Sequence, residues 1–391
     1  MSIKIRFVTP WFGEFAGGAE VAARKLAENL FKNKIDVGVL STCCKSPFDD
    51  WWTDHFNPGE YKYNGIQVLR FPVNKECSGL YHKVNDKMIT GLPLSRNDEL
   101  DYMRGTINSH ALISYIKKNR QYLYVFIPYL YGTSFWGTLA VSERAIIIPC
   151  LHDEAVARWE IIRDMFLHAR KVIFLTDEER ELATTLYNLD TDSMSVLGVG
   201  LDTAISYNAL RFREKYKINK PFIIYVGRKD KGKNIYTMID YFKRYVELYD
   251  KDLIMIFIGG GDPSLVPKDD SCFIDLSIIP EQDKFDAISA SIALCNLSEN
   301  ESFSFVIMEA WLTGRPVIVS SKSNVTKAHC IKCKGGFYVS NGEEFCKSVK
   351  KLTKEVKYSN ELGENGKKYV EVNYSWDKII PKYMEVFEGI K

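Results

Sequence analysis

The sequence predicts an α/β protein made of two doubly wound domains, each a parallel sheet wrapped by helices. Three observations carry this. Short apolar runs alternate with stretches of helical periodicity along the chain, the pattern left by strands joined through crossover helices. The 391 residues exceed what one ordinary core holds and suit two domains of about 200 residues each. A charged stretch at 211–220, RFREKYKINK, followed by Pro221, divides the two series and reads as a linker.

In the first series, residues 3–9 read as a buried strand, 20–33 as a helix with Ala22, Leu26 and Leu30 on one face, and 35–41 as the next strand. Strands follow at 122–127, 145–148, 172–175 and 194–197. Residues 43–65 are the least regular part and read as a long loop, rich in aromatic and turn residues. In the second series the strands are 222–226, 253–258, 292–295 and 316–319, and 376–390 reads as a closing amphipathic helix. The expected domains are 1–205 and 206–375, with 376–391 returning to the first.

Composition removes several function classes. The 52 basic and 50 acidic residues leave a net charge of +2, which gives no reason to expect a nucleic-acid partner. Residues 1–205 carry 23 basic against 25 acidic side chains, so no strongly basic membrane-facing half is evident. No stretch approaches the ~20 apolar residues that cross a bilayer, and the default expectation is a cytoplasmic protein, with room for transient contact at the inner membrane face. Nine irregularly spaced cysteines suit a reducing compartment. His329, Cys330 and Cys333 invite a zinc reading, but no second pair at matching spacing completes it, so no metal is expected.

Ligands of open α/β sheets sit beyond the C-terminal ends of the strands, and the candidate residues gather at such ends. After the strand at 292–295 comes SENESFSFVIMEAWLTG (298–314), with Glu301 and Glu309 eight positions apart around a helix expected to begin near 302–304. The free N–H groups of that helix start are suited to an anion. After the strand at 222–226 comes Gly227-Arg228, then Lys233 five residues beyond the Arg. Gly17-Gly18 follow the first strand, Gly259-Gly260-Gly261 end another, and Cys150-Leu151-His152-Asp153 close a third. The glycine run is not the dinucleotide GxGxxG, which disfavours a nicotinamide enzyme.

Glu301-x7-Glu309, followed by Gly314-Arg315-Pro316-Val317, resembles the E-x7-E signature of retaining glycosyltransferases of the GT-B fold, in particular glycosyltransferase family 4. The Gly-Arg-x4-Lys segment, the Gly17-Gly18 loop and His152 match that family's motifs in the same order, so the resemblance spans about the whole chain. It implies two Rossmann-like domains facing across a cleft, with a C-terminal helix crossing back to the first. It also implies hexosyl transfer from a nucleotide diphosphate sugar, a UDP-sugar ahead of a GDP-sugar, to a saccharide or lipid-linked saccharide, in surface polysaccharide synthesis. No cofactor is implied, and the transfer is front-face.

The resemblance assigns roles residue by residue. Arg228 and Lys233 would neutralise the diphosphate and stabilise the departing charge, one as a fork and one as a point charge. Glu309 would accept the ribose hydroxyls and Glu301 the hydroxyls of the transferred sugar. His152 would lie near the reaction centre. Gly17, Gly18, Gly227 and Gly260 would let backbone approach the donor, as would Ser302, Phe303, Ser304 and Phe305. The family often has glycine at 302 and 304, so serine there narrows the approach. Trp51, Trp52 and His55, in the irregular segment, are candidates for stacking on an acceptor sugar, or else pin that segment to its domain. Two other readings remain open: an idle nucleotide- or glycan-binding protein on the same scaffold, and a sugar-nucleotide epimerase.

Overall fold

Strands buried on both faces are apolar at every position, and segments such as FIIYV and IMIFI are accordingly central strands. The computed structural model describes residues 3–14 and 17–390. The chain forms two compact units: one runs to Gly200 and includes the residues from Ile379 onward, the other is Leu201–Lys378.

The first unit holds β1 (Lys4–Val8), α1 (Gly18–Lys32), β2 (Asp36–Thr42), β3 (Gly59–Tyr63), β4 (Ile66–Phe71), α2 (Ser78–Ile89), α3 (Arg96–Gly105) and α4 (His110–Lys118). It continues with β5 (Leu123–Phe126), α5 (Gly132–Ala140), β6 (Ala145–Ile147), α6 (Glu160–His168), β7 (Lys171–Phe174), α7 (Asp177–Tyr187) and β8 (Met194–Val196). The sheet order is β3-β4-β2-β1-β5-β6-β7-β8, parallel except where β3 runs against β4. This hairpin corrects the expectation of a long loop over 43–65. Asn64 and Gly65 both take positive φ, 49° and 85°, which is the two-residue turn that an Asn-Gly pair favours between strands. The edge strand β3 is exposed along nearly its whole length and β4 beside it alternates in burial, so neither forms the apolar run that marks a central strand.

The second unit begins with α8 (Ala209–Tyr216), β9 (Phe222–Val226), α9 (Ile235–Leu248), β10 (Ile254–Ile258), β11 (Phe273–Asp275), α10 (Glu281–Ala290) and β12 (Leu294–Asn296). It closes with α11 (Phe305–Leu312), β13 (Val317–Ser320), α12 (Asn324–Cys333), β14 (Gly336–Val339), α13 (Gly342–Lys354) and α14 (Val356–Tyr374). Its six strands are all parallel, ordered β11-β10-β9-β12-β13-β14. The segment read as a linker is largely α8. Asn208 caps it through Oδ1, which accepts from the N–H groups of Leu210 and Arg211. The Arg211 guanidinium forks onto Asp286 of α10 at 2.5 and 2.7 Å, and Lys215 reaches Asp283 at 2.6 Å. Arg211 and Lys215 form a helix face turned to α10, which a count of charge along the chain cannot distinguish from a solvated linker.

The last helix, α15 (Trp376–Glu388), carries the residues that belong to the first unit. Within that unit Tyr383 donates its hydroxyl hydrogen to the Gly198 carbonyl at 2.8 Å. Among the described residues no helix is long and apolar enough to cross a membrane.

Candidate functional site

In the second unit the loops leaving β9, β10 and β12 converge at their C-terminal ends. Gly227 N–H donates to Ile258 O, Lys229 N–H to Gly260 O and Asp262 N–H to Lys229 O, zipping the β9 and β10 loops together. The glycines are required by this approach: a Cβ on Gly259 would strike Gly227 O, and one on Gly261 would strike Lys229 O. Gly260 itself meets only Ile278 at ordinary contact distance. Lys229, between Arg228 and Asp230, is 2% exposed. Its ammonium donates to Gly259 O and to Asp275 Oδ1, a carbonyl and a carboxylate that offset the burial of its charge.

Arg228 is exposed, with Nε 2.5 Å from Asp230 Oδ2. Asp230 also caps the single 3-10 turn Lys231–Lys233, its Oδ1 accepting from Lys233 N–H at 3.1 Å. One carboxylate thus holds the Arg228 guanidinium and the backbone of Lys233. The ammonium of Lys233 sits 2.8 Å from Glu301 Oε1 and 3.3 Å from Ser298 Oγ. Asn234, in the left-handed conformation, ties this turn to the loop after β12 by donating to Leu297 O and Glu299 Oε1.

Glu301 precedes the helix: α11 starts at Phe305, with Ser304 at its N-cap. Ser304 has φ 67° and ψ 74°, a left-handed conformation that costs a residue with a Cβ about 1–2 kcal/mol. Its hydroxyl does not cap the helix and instead accepts from Asn296 Nδ2 at 3.3 Å. Ser302 is half-buried beside it, as is Phe305. Phe303 is buried, its ring 5.1 Å from Tyr374 and 6.0 Å from His329. Its side chain is therefore core, and only the backbone around it is offered to a ligand. Glu309, half-buried in α11, is not alone: Lys284 of α10 lies 2.7 Å from its Oε1.

His329, Cys330 and Cys333 lie buried on α12, where His329 Nδ1 pairs with Tyr369 Oη at 2.9 Å. Among the described residues no three His, Cys, Asp or Glu side chains gather as metal ligands.

In the first unit Gly17 is the N-cap of α1 at φ −113°, and an added Cβ would collide with the Glu20 carboxylate. That carboxylate accepts from Trp11 Nε1 at 2.7 Å. Gly18 faces open space. His152 is half-buried in the loop after β6, two residues beyond Cys150 at φ 53°. The loop is anchored by Glu179 of α7, whose carboxylate accepts from Leu151 N–H at 2.5 Å and from Leu175 N–H at 2.6 Å. Burial pushes the Glu179 carboxyl up to about 8 against the pull of its backbone donors. Trp51 and Trp52 belong to an aromatic cluster with Trp11, Tyr81 and Tyr131. Their indole N–H groups donate to Pro47 O and Gly105 O, and the exposed His55 accepts from Lys45 N–H. These contacts pin the 43–65 segment to its own unit.

Sequence reasoning missed Asp230, Asn234, Lys284, Asn296 and Glu179. Only Glu179 left a signal, the Thr176-x-x-Glu179 spacing of a helix cap. The others become visible when distant loops meet.

Residues 208–369 match the family model described as Glycosyl transferases group 1. An uncharacterized glycosyltransferase of Methanocaldococcus jannaschii is 25% identical over 192 residues, 46% of this chain, and the match spans about half (48%) of that relative's length. Among solved structures, HepE of Anabaena in complex with UDP-glucose has a TM-score of 0.71 at 14% identity, covering 99% of this chain and 100% of that one. WaaG, a glycosyltransferase involved in lipopolysaccharide biosynthesis, has a TM-score of 0.68 at 12% identity, covering 98% and 100%. Likeness of this extent shows the fold, which is GT-B with two Rossmann-like units.

Proposed function

We propose that the protein is a retaining glycosyltransferase that moves a hexosyl group from a nucleotide diphosphate sugar to a hydroxyl of a saccharide or lipid-linked saccharide. The observation that carries this reading is the Lys233–Glu301 pair, which joins the loop after β9, with Arg228, to the loop after β12 that leads into α11 and Glu309. A diphosphate needs cations, and a ribose and a hexose need acceptors for their hydroxyls; the four side chains supply both.

In the proposed reaction the acceptor oxygen attacks the anomeric carbon on the face from which the diphosphate departs. The glycosidic C–O bond to phosphate breaks, the new C–O bond forms, and a diphosphate oxygen takes the acceptor proton. Arg228 and Lys233 stabilise the charge that builds on the leaving group, so the reading requires no metal. Glu301 orients the hexose and Glu309 the ribose, neither acting as a hydrolytic acid or base. His152 and the α1 N-terminus, with Gly17 and Gly18, complete the expected set from the first unit. UDP-glucose in the Anabaena neighbour supports a UDP-sugar ahead of a GDP-sugar. The lipopolysaccharide role of WaaG supports surface polysaccharide assembly as the setting.

The test is calorimetric titration with UDP, GDP and ADP, without added metal, followed by an acceptor screen with the sugar of the nucleotide that binds. Micromolar binding weakened by Glu309→Ala, and turnover reduced by about 2–4 kcal/mol in Arg228→Ala, are expected. Turnover like wild type in Arg228→Ala refutes the site.

A further inference from the structure

Lys284 has no part in the motifs that locate the site, yet its ammonium is 2.7 Å from Glu309 Oε1. It sits in the first turns of α10, which packs on α11. Both side chains are 19% exposed, at the border between core and solvent. A pair in that position gains little from attraction alone. What it does set is direction. The ammonium also lies 4.6 Å from the ring centroid of the adjacent Phe285, a second contact on the same lysine. Among the described residues Glu309 Oε2 makes no hydrogen bond, so one carboxylate oxygen is held and the other is open.

We infer that Lys284 is a positioning residue for ribose recognition, holding the Glu309 carboxylate aimed so that it reads the cis-diol of a nucleoside diphosphate. The inference rests on the donor-site reading of Glu309 given above. An ionised carboxylate only accepts hydrogen bonds, as two vicinal hydroxyls require. A partly buried group placed to pair with a hydroxyl rejects the analogue lacking it, because its acceptor is then left unmet. Without Lys284 the carboxylate regains its rotamers and that discrimination falls.

The experiment compares the full chain with Lys284→Met, Lys284→Arg and Glu309→Gln. Calorimetry with UDP, GDP and ADP selects the nucleotide that wild type binds most tightly, and its 2′,3′-dideoxy counterpart is titrated beside it. Lys284→Met is expected to lose about tenfold in affinity for the ribonucleotide and nothing for the dideoxynucleotide. Lys284→Arg should keep the preference for ribose, and Lys284→Met should add nothing in the Glu309→Gln background. Equal losses on both nucleotides, or an unchanged preference in a Lys284→Met protein that melts like wild type, would overturn the inference. If wild type binds none of the three, or binds with Glu309→Gln silent, the donor-site reading itself fails and the role of Lys284 falls with it.

Discussion

Lys233 Nζ lies 2.8 Å from Glu301 Oε1, with the two side chains 30% and 12% exposed, so two groups expected to bind different parts of one donor are paired with each other. Arg228 with Asp230 and Lys284 with Glu309 repeat the arrangement. Charges held by pairs within the protein have fewer rotamers to lose, which lowers the ordering cost of binding.

Breaking the first pair should therefore affect stability as well as turnover. Lys233→Met deprives the largely buried Glu301 of its cation, whereas the further change Glu301→Gln removes the charge left behind. The double variant is expected to be about 1 kcal/mol more stable than Lys233→Met alone, while both lose turnover. Urea denaturation checks this, and a double variant no more stable than the single would show that the pair carries no coupling.

Ser304 predicts a difference between two small residues. At φ 67° alanine keeps the Cβ penalty and loses the hydroxyl's contact with Asn296, while glycine loses the contact but also the penalty. Ser304→Gly should be more stable than Ser304→Ala by about 1 kcal/mol. Equal unfolding free energies would mean that the backbone there is not held left-handed in solution.

Glu179 should make the first unit lose stability as pH rises. Its carboxyl lies near 4.5 when unburied and is pushed up to about 8 by burial. Between those values the folded state binds more protons than the unfolded one, so stability declines across that window. In Glu179→Gln the decline between pH 5 and 8 should flatten. Parallel curves of unfolding free energy against pH for the two proteins would refute it.

His329 carries the opposite sign. Burial, and then the Lys332 cation, lower its pKa from 6.5 to about 3. Between pH 6.5 and 3 the unfolded state binds more protons, so this contribution is complete above 6.5 and lost on acidification. His329→Gln should be less acid-sensitive than wild type over that interval even if it is less stable at pH 7. Fluorescence-monitored unfolding from pH 7 to 4 measures it, and an undiminished acid slope in the variant would count against a buried neutral imidazole.

The sequence by itself determined the central strands, the two-part plan and the positions of Arg228, Lys233, Glu301 and Glu309. Each is a local signal: a strand buried on both faces is a short apolar run, and the four polar residues stand at fixed spacing just past such runs. The edge hairpin β3–β4 and helix α8 were not legible, because an exposed edge strand and its alternating neighbour show no apolar run and a charged helix face resembles a linker until its partner is known. Tertiary structure alone decided what each functional group touches. Lys284 is 25 positions from Glu309, Lys233 is 68 from Glu301, and Glu179 is 28 from Leu151. Such pairs depend on how helices and loops pack after the chain has folded, and nothing in the local pattern of either residue records the other.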